Sequence, residues 1–324
     1  MTPNRRLRAL LFAATAALLI PALSMAQGWP AKPLRIVVPV PPGGSLDLLA
    51  RTLSRELSPA LGQPVVVENV PGAGGNIAFA QVANAAADGY TILHGWDPLA
   101  INTSLYASVP YRLSQFAPIT LAITSPQVLV VNPRLPAGSL EELLALARRK
   151  PGSLSLASPG NGSPGHLAGT LLESLTGADF VHIPYKGGGP AMADLIAGHV
   201  DAAIVTLPAA LPHARSGRVK AIGVSSRNRS AGAPEIPTLA ESGVRQYELN
   251  SWQGFFVPAG TPEAVIARLN REMVHILRNR DVKAQLEAQG FDVVASAPEV
   301  LAQELQNGTP RWAQLVKRSG AKVD

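Results

Sequence analysis

The chain has 324 residues, enough for two lobes with separate cores, and it contains no cysteine, which excludes disulfides, thiolate nucleophiles, cysteine metal sites and a lipid-modified cysteine anchor. Half of its formal charge of +6 comes from three arginines before residue 9. Aromatic residues make up 5% of the chain and no long basic run stands out among the other residues, so the composition argues against a nucleic-acid partner.

The first 26 residues are predicted to be a secretory signal peptide. Arg5, Arg6 and Arg8 precede an apolar stretch at about 10–23, and Ser24 and Ala26 supply small residues at the −3 and −1 positions of a cleavage site. The alternative is a membrane anchor, but the stretch is short for a hydrocarbon core of about 30 Å. We therefore predict cleavage after Ala26 and a periplasmic mature protein.

Strand-like apolar runs then alternate with helical patterns, which is typical of an α/β fold. The run 34–40 predicts a strand buried on both faces, and it ends at a Pro-Pro-Gly-Gly sequence. A helix follows, with Ser45 as its N-cap, Asp47 in its first turn and Gly62 at its end. The unit recurs as a strand at 64–68, a loop at 71–75, a helix at 77–87 and a strand at 90–93.

A second block of such units begins near residue 130. Strands are predicted at 154–157 and 180–183, each followed by a glycine-rich loop and a helix. The apolar stretches 116–131 and 219–226 flank this block, and we interpret them as two crossovers. The predicted organisation is a signal peptide (1–26), a first lobe (27–125 plus 228–324) and a second lobe (126–227), with a central sheet in each lobe.

Four glycine-rich loops each follow a predicted strand and precede a predicted helix, at 41–45, 71–76, 158–165 and 184–190. Ligands of open α/β sheets bind at such places, because first-turn N–H groups lack partners and the helix dipole attracts anions. None of the loops matches a complete nucleotide-binding motif. The loops indicate either an anion-binding cleft or only the tight turns that the fold requires.

Ser163 lies one residue away from the G-x-S-x-G pattern of serine hydrolases. Asn161 stands at the first glycine position, and Pro164 lacks the N–H that would serve as the oxyanion donor. A non-enzymatic binding role is therefore preferred, and a secreted hydrolase using Ser163 is the alternative. The six histidines form no H-x-H or H-x-x-x-H pair, so neither a metal site nor a cofactor is predicted.

Five segments, at 33–51, 62–78, 157–169, 181–201 and 251–262, together resemble the Bug-type receptors of tripartite tricarboxylate transporters; they include PPGGSLD, GNGSPGHL and PYKGGGPA. The resemblance covers essentially the whole mature chain. It implies an α/β, two-lobed type II periplasmic binding protein fold that closes over a small organic carboxylate. It also implies a monomeric receptor that presents its ligand to a membrane permease, with an orphan signalling receptor as the alternative.

The resemblance also implies the ligand-binding residues. In such receptors the carboxylate is held by backbone amides and hydroxyls, often through water, which here implies Pro42, Gly43, Gly44, Ser45 and Asp47 facing Ser158, Gly160, Asn161, Gly162, Ser163 and His166. Three residues of the next loop are also predicted to bind the ligand, namely Tyr185, Lys186 and Gly187. Trp96, Asp97 and Thr206 depart from the family pattern and are included in the predicted ligand site, and Trp96 and Asp97 are predicted to shape the ligand's far end. Asp97 either recognises an amine or hydroxyl or caps a turn before Pro98.

Overall fold

The computed structural model describes residues 28–323, so the predicted signal peptide and its cleavage site lie outside the described residues. The strands are β1 (Leu34–Val38), β2 (Val65–Asn69), β3 (Thr91–Trp96), β4 (Phe116–Val131), β5 (Ser155–Ser158), β6 (Val181–Pro184), β7 (Ala202–Thr206), β8 (Lys220–Val224), β9 (Asn250–Pro258) and β10 (Asp292–Val293). The α-helices are α1 (Ser45–Leu61), α2 (Asn76–Ala83), α3 (Pro98–Leu105), α4 (Leu140–Arg149), α5 (Pro164–Thr176), α6 (Gly188–Ala197), α7 (Leu207–Arg215), α8 (Glu263–Arg278), α9 (Arg280–Ala288) and α10 (Pro298–Ser319).

One long strand, β4, joins two half-sheets. The strand order is β2-β1-β3-β9-β4-β7-β5-β6, and β8 and β10 also pair with β4. Along β4 the neighbour changes abruptly: Pro126 is the last residue paired with β9, and Gln127 is the first paired with β7. The predicted crossover at 116–131 is therefore a single strand of the same bounds, shared by both halves.

The second crossover, which the sequence analysis placed at 219–226, lies later in the chain. β8 pairs with Val128–Val131, entirely within the second half-sheet, and the chain re-enters the first half at β9. Ser225 ties this passage to β4, because it exchanges two 2.8 Å hydrogen bonds with Gln127 and also bonds Leu249. The lobe boundaries at 125/126 and 227/228 stay a prediction.

Strands of both halves are covered on both faces, as their unbroken apolar runs require. In β1, Ile36 packs with the apolar side of α1, whereas its neighbour Val37 packs on the opposite face with Phe79 of α2. In β4, Leu129 packs with α4 and α5, whereas Val130 faces α6 and α7. Full burial of each such side chain stabilises the folded state by roughly 1.5–3 kcal/mol. The helices are therefore packed firmly on these faces, and this packing fixes their N-termini at the strand ends.

The last helix, α10, also spans both halves. Its first turn packs through Leu301 with the core of the first half. Trp312 and Val316, near its other end, pack with the core of the second half, and so does Ala321 beyond the helix. Residues assigned by sequence to the first lobe therefore contribute apolar surface to both halves.

We expect Gly308→Ala to raise the free energy of unfolding by about 1 kcal/mol, because glycine inside a helix costs that much relative to alanine. A Cβ at this position would lie 3.6 Å from Glu304 Oε1 and 3.7 Å from Trp312 Nε1, which are ordinary contacts. Urea unfolding checks the change. Gly320→Ala is the matched control, and it should destabilise, because Gly320 ends the same helix at φ +64°. A loss of stability in Gly308→Ala would contradict the expectation.

Candidate ligand-binding cleft

A cavity of about 1110 Å³ lies between the two halves of the molecule. Its floor is the place where β4 changes neighbours: Ser125, Gln127, Ser251 and Gln253 line it there. Small-molecule sites usually occupy about 300–1,000 Å³. The cavity is therefore large enough for a small organic molecule together with water.

Helix N-termini from both halves converge on this cavity. Five helices begin at its wall, namely α1, α3, α5, α6 and α7. Each N-terminus carries a partial positive charge, so together they attract an anion. Pro98, Pro164, Pro190 and Pro208 each remove one donor from the first turns of α3, α5, α6 and α7. The first turn of α1 contains no proline, and α6 keeps the N–H groups of its first two residues, so both halves present backbone donors at the cavity.

Few positively charged side chains add to the partial positive charge of these helix N-termini. Among residues 28–323, two arginines and no lysine line the cavity. Arg51 is paired with Asp47, with 2.9 Å between its Nε and Oδ2. Arg215 donates to the backbone carbonyls of Gly232 and Ala288. Backbone amides and hydroxyls are therefore the groups that remain at the cavity wall for an anion.

Asp47 holds the loop at 41–45 in place. Its Oδ2 accepts the Gly43 N–H at 3.0 Å and the Arg51 Nε–H at 2.9 Å, while its Oδ1 accepts from Asn69 Nδ2 at 3.0 Å. The Arg51 hydrogen bond lowers the pKa of Asp47 to about 2. Both oxygens are thus engaged within the protein, although Asp47 lines the cavity.

Gly44, and not Ser45, is the N-cap of α1. Ser45 is the first helical residue, and its Oγ accepts from Gln253 Nε2 at 3.3 Å instead of capping the helix. The predicted N-cap was therefore one residue too late. The shift matters because it leaves the Ser45 hydroxyl at the cavity wall beside the first N–H groups of α1.

Ser163 caps α5 at the opposite wall. Its Oγ accepts the His166 N–H at 3.2 Å, so its hydroxyl hydrogen stays available to a ligand oxygen. The loop before it depends on glycine, since Gly162 has φ +71° and its N–H donates to His166 Nδ1 at 3.0 Å. Asn161 Nδ2 donates to the Lys322 carbonyl, and Val323 also lines the cavity.

Two histidine rings lie behind this loop rather than in the cleft. His166 and His182 stack with 3.7 Å between ring centroids, and Ser158 Oγ lies 2.6 Å from His182 Nε2. They line a separate cavity of about 20 Å³, which has room for a water molecule but not for a substrate. Ser163 makes its hydrogen bond to a backbone N–H and not to either ring.

The structure brings twelve of the predicted site residues to the cavity wall: Gly43, Gly44, Ser45, Asp47, Trp96, Asp97, Gly160, Asn161, Gly162, Ser163, Gly187 and Thr206. Five others do not line it. Pro42 and Lys186 are exposed, Ser158 and His166 are buried behind the loop, and Tyr185 donates its hydroxyl to Asp194 Oδ2 at 2.7 Å. Ligand contact by any of these residues stays a prediction.

Asp97 is fully buried at the start of α3. Its side chain does not cap the helix; Oδ1 accepts from the Trp252 N–H at 3.4 Å, and the Ser251 hydroxyl also acts on the carboxyl as a hydrogen-bond partner. Burial raises the pKa of Asp97 to about 8. His94 lies three residues earlier, in β3. Its ring stacks on Phe255 with 4.4 Å between ring centroids, and burial lowers the pKa of His94 to about 3.

Sequence reasoning missed the floor of the cavity. Gln127 and Gln253 line it and are 1% and 7% exposed. Both are amides inside otherwise apolar strands, and that contrast was the available signal, because a buried amide needs hydrogen-bond partners that an apolar core does not supply.

We expect His166→Gln to become more stable relative to the wild type as the pH falls from about 6.5 to 4. Burial, together with the neighbouring His182, lowers the pKa of His166 to about 4, whereas an unfolded histidine titrates near 6.5. In this window the unfolded wild type binds the extra proton, so the wild type loses stability, by about 2–3 kcal/mol for this residue.

Urea unfolding of both proteins at pH 7.5, 6, 5 and 4.5 measures the difference. The comparison is needed because the raised pKa of Asp97 acts in the opposite direction and is common to both proteins. A stability difference that does not change with pH would show that the pKa of His166 in the folded state is close to its unfolded value.

No helix of residues 28–323 is long and apolar enough to cross a membrane. Within the same residues, no cluster of three or more histidine, aspartate or glutamate side chains is placed to hold a metal ion.

Known proteins resemble the chain in sequence and in fold. The profile described as "Tripartite tricarboxylate transporter family receptor" matches residues 49–321. BugT of Bordetella pertussis (strain Tohama I) is 40% identical over 316 residues, covering 97% of this chain and 96% of BugT. A solved structure from R. palustris with adipate has a TM-score of 0.83 and 32% identity, covering 91% of this chain and 100% of its own. MatC from Rhodopseudomonas palustris with bound malate has a TM-score of 0.78 and 33% identity, covering 89% of this chain and 100% of MatC.

Proposed function

Because the chain belongs to the tripartite tricarboxylate transporter receptor family, we propose that it is a periplasmic receptor that binds a small organic carboxylate and presents it to a membrane permease. The predicted two-lobed periplasmic binding protein fold is confirmed by the similar structures. The family is one of solute-binding receptors, so the chain is not an enzyme, and the alternative of a hydrolase using Ser163 is set aside.

One observation carries the proposal: α1 from one half and α6 from the other begin at the same cavity. A carboxylate placed between them accepts N–H donors from both, and Ser45 and Ser163 add hydroxyl donors. Carboxylates are also the ligands of two similar proteins, adipate in one and malate in the other. Because each half supplies donors, the ligand shifts an open–closed equilibrium toward the closed form.

A thermal-shift screen of residues 27–324 against mono- and dicarboxylates tests the proposal. A ligand that binds only the folded state stabilises it by about 2.7 kcal/mol at a hundred times its dissociation constant. Matched amides of the same acids serve as controls, since they lack the charge that the helix N-termini select. The receptor proposal fails if no carboxylate raises the melting temperature or if the amides raise it equally.

We expect Ser163→Ala to weaken carboxylate affinity by roughly five- to tenfold, because one hydroxyl contact that contributes about 1 kcal/mol is lost. The variant also loses the cap of α5, so the free energy of unfolding falls by about 1 kcal/mol. Calorimetric titration and urea unfolding measure the two effects. Ser163→Thr keeps both the hydroxyl and the cap and should restore them, whereas Ser174→Ala, at an exposed serine of the same helix, should change neither. Unchanged affinity in Ser163→Ala would remove Ser163 from the site.

A further inference from the structure

The loop at 158–163 is held from behind by a histidine that does not line the cleft. His166 Nδ1 accepts the Gly162 N–H at 3.0 Å, and this hydrogen bond is buried. The Gly162 N–H is therefore not available to a ligand, although Gly162 lines the cavity. The next residue is Ser163, whose hydroxyl hydrogen stays available to a ligand oxygen. The position of this hydroxyl thus depends on how Gly162 is held.

A second histidine, His182, reaches the same loop through Ser158. His182 Nε2 lies 2.6 Å from Ser158 Oγ, which in turn lies 3.2 Å from the Gly160 carbonyl oxygen and 3.4 Å from the Gly160 nitrogen. All three contacts are satisfied together when His182 carries its proton on Nε2, because the ring then donates to Ser158 Oγ and the hydroxyl donates to the Gly160 carbonyl. His182 is therefore linked to a second glycine of the loop, and Gly160 also lines the cavity.

The two histidine rings form one packed unit. They stack face to face, with 3.7 Å between ring centroids and 7° between ring planes. His166 belongs to α5 and His182 to β6, so the pair joins the helix to the sheet at the place where the loop leaves β5. Burial lowers the pKa of both histidines. At neutral pH the rings are therefore uncharged, and His166 Nδ1 keeps the lone pair that accepts the Gly162 N–H.

A serine and a histidine at hydrogen-bond distance can also act as nucleophile and base. The surroundings of Ser158 exclude this role, because Ser158 is 1% exposed and lines the separate cavity of about 20 Å³ rather than the cleft. That cavity has no room for a substrate. The hydrogen bonds of the histidine pair therefore act on the loop and not on a reacting molecule.

We propose that His166 and His182 are positioning residues for ligand binding: the stacked pair holds the loop from behind and keeps the Ser163 hydroxyl where it reaches the carboxylate. The inference rests on the proposed carboxylate-receptor function and adds to it a buried pair that does not touch the ligand. Without the hydrogen bond to His166, the buried Gly162 N–H lacks a partner, and the loop moves to find one. Binding must then reverse that movement, so affinity falls although the residues at the cavity wall are unchanged.

Two substitutions of nearly the same shape test His166 in the protein of residues 27–324. Asparagine places Oδ1 close to the position of Nδ1 and can accept the Gly162 N–H, whereas leucine has the same branching and no acceptor. We expect His166→Leu to weaken the affinity for the tightest carboxylate of the screen by about tenfold, which corresponds to about 1.4 kcal/mol. His166→Asn should retain most of the wild-type affinity. Calorimetric titration at pH 7.5 measures both.

Amide hydrogen exchange at Gly162 measures the hydrogen bond itself. Exchange should be slow in the wild type and in His166→Asn but faster in His166→Leu, because a buried N–H exchanges only when its hydrogen bond opens. Equal exchange rates in the asparagine and leucine variants would show that His166 does not hold Gly162, and the proposal would be overturned.

His182→Gln and His182→Met test the second link, and they keep the proposal testable if substitution of His166 unfolds the protein. The glutamine amide can donate to Ser158 Oγ in place of the ring N–H, whereas methionine has a similar length and no donor. We expect the methionine variant to bind carboxylate more weakly than the glutamine variant. Because both rings act on one loop, His166→Leu combined with His182→Met should weaken affinity by less than the product of the two separate losses.

Asn132→Leu is the matched control for general damage to the second half. Asn132 is 6% exposed and directly follows β4, where Nδ2 donates to the Leu195 carbonyl at 2.6 Å and Oδ1 accepts from the Arg134 N–H at 2.9 Å. Its replacement removes both hydrogen bonds, so it should lower the melting temperature and leave carboxylate affinity unchanged. A purely structural role for the two histidines would give this same pattern in the leucine and methionine variants.

The outcomes separate the two proposals. If the leucine and asparagine variants of His166 bind carboxylate equally well, the positioning role is wrong while the carboxylate receptor stands. Where those variants do not fold, equal binding by the methionine and glutamine variants of His182 leads to the same conclusion. If no carboxylate binds the wild type, the receptor proposal fails and the positioning role fails with it.

Discussion

Ser45→Asp is expected to abolish carboxylate binding without unfolding the protein. Ser45 is the first residue of α1 and lines the cleft. A carboxylate built at this position lies at the helix N-terminus, where the ligand carboxylate is proposed to bind. The variant thus places a negative charge of its own at the anion site.

The size of the effect follows from electrostatics. Two unit charges about 4 Å apart repel each other by roughly 4 kcal/mol at an effective dielectric constant near 20, which corresponds to about a thousandfold loss of affinity. An acidic residue in the first turn of a helix is itself stabilising, by about 0.3–1 kcal/mol. Affinity and stability should therefore change in opposite directions, an outcome that general damage to the fold does not produce.

Calorimetric titration with the tightest carboxylate from the screen, combined with urea unfolding, measures both quantities. Ser45→Asn is the matched control, because it has nearly the same shape as aspartate and no charge; it should retain most of the affinity. Equal losses in the aspartate and asparagine variants would show that the size of the side chain, and not its charge, is responsible, and the anion site would have to lie elsewhere.

Gly165→Ala should lower the free energy of unfolding by about 3 kcal/mol or more and weaken ligand binding as well. Gly165 lies in the first turn of α5, where the helix passes directly over β7. A Cβ there would overlap the carbonyl oxygen of Ile204 and lie 2.7 Å from Pro159 Cδ. Neither obstacle is the end of a flexible side chain, so the helix must shift, and overpacking of this kind is costly.

The shift of α5 would carry Ser163 and its loop away from the cleft, which is why affinity and stability fall together. Gly169→Ala is the matched control in the same helix, since its Cβ would meet only the end of the Leu156 side chain, at 3.0 Å. Thermal and urea unfolding compare the two variants. If Gly165→Ala costs no more than Gly169→Ala, close packing between α5 and β7 does not position the binding loop.

Local patterns were enough to predict most of the fold. The apolar run at 116–131 became β4 with the same bounds, and the glycine-rich loops lie at the cavity as their place between strands and helices indicated. Gly62 ends α1 at φ +68°, as expected for a helix C-cap. These features depend on neighbours within a few residues, which is the range over which sequence patterns carry information.

Features that depend on distant parts of the chain were not predictable in the same way. Gln127 became part of the floor only because β9, more than a hundred residues later, places Ser251 beside it. His166 was predicted to bind the ligand from its place in a loop motif, but the ring turns back to accept the Gly162 N–H and to stack on His182. The direction of a side chain is decided by such tertiary contacts, and a motif does not contain them.

The sharing of β4 and α10 between the two halves has a consequence for how the protein loses its structure. β4 supplies hydrogen bonds to both half-sheets, and α10 supplies apolar side chains to both cores. Neither half can therefore come apart while its neighbour keeps a complete set of partners. We therefore expect the two lobes to unfold as one cooperative unit, with a single denaturation transition and with the slowest amide hydrogen exchange along β4.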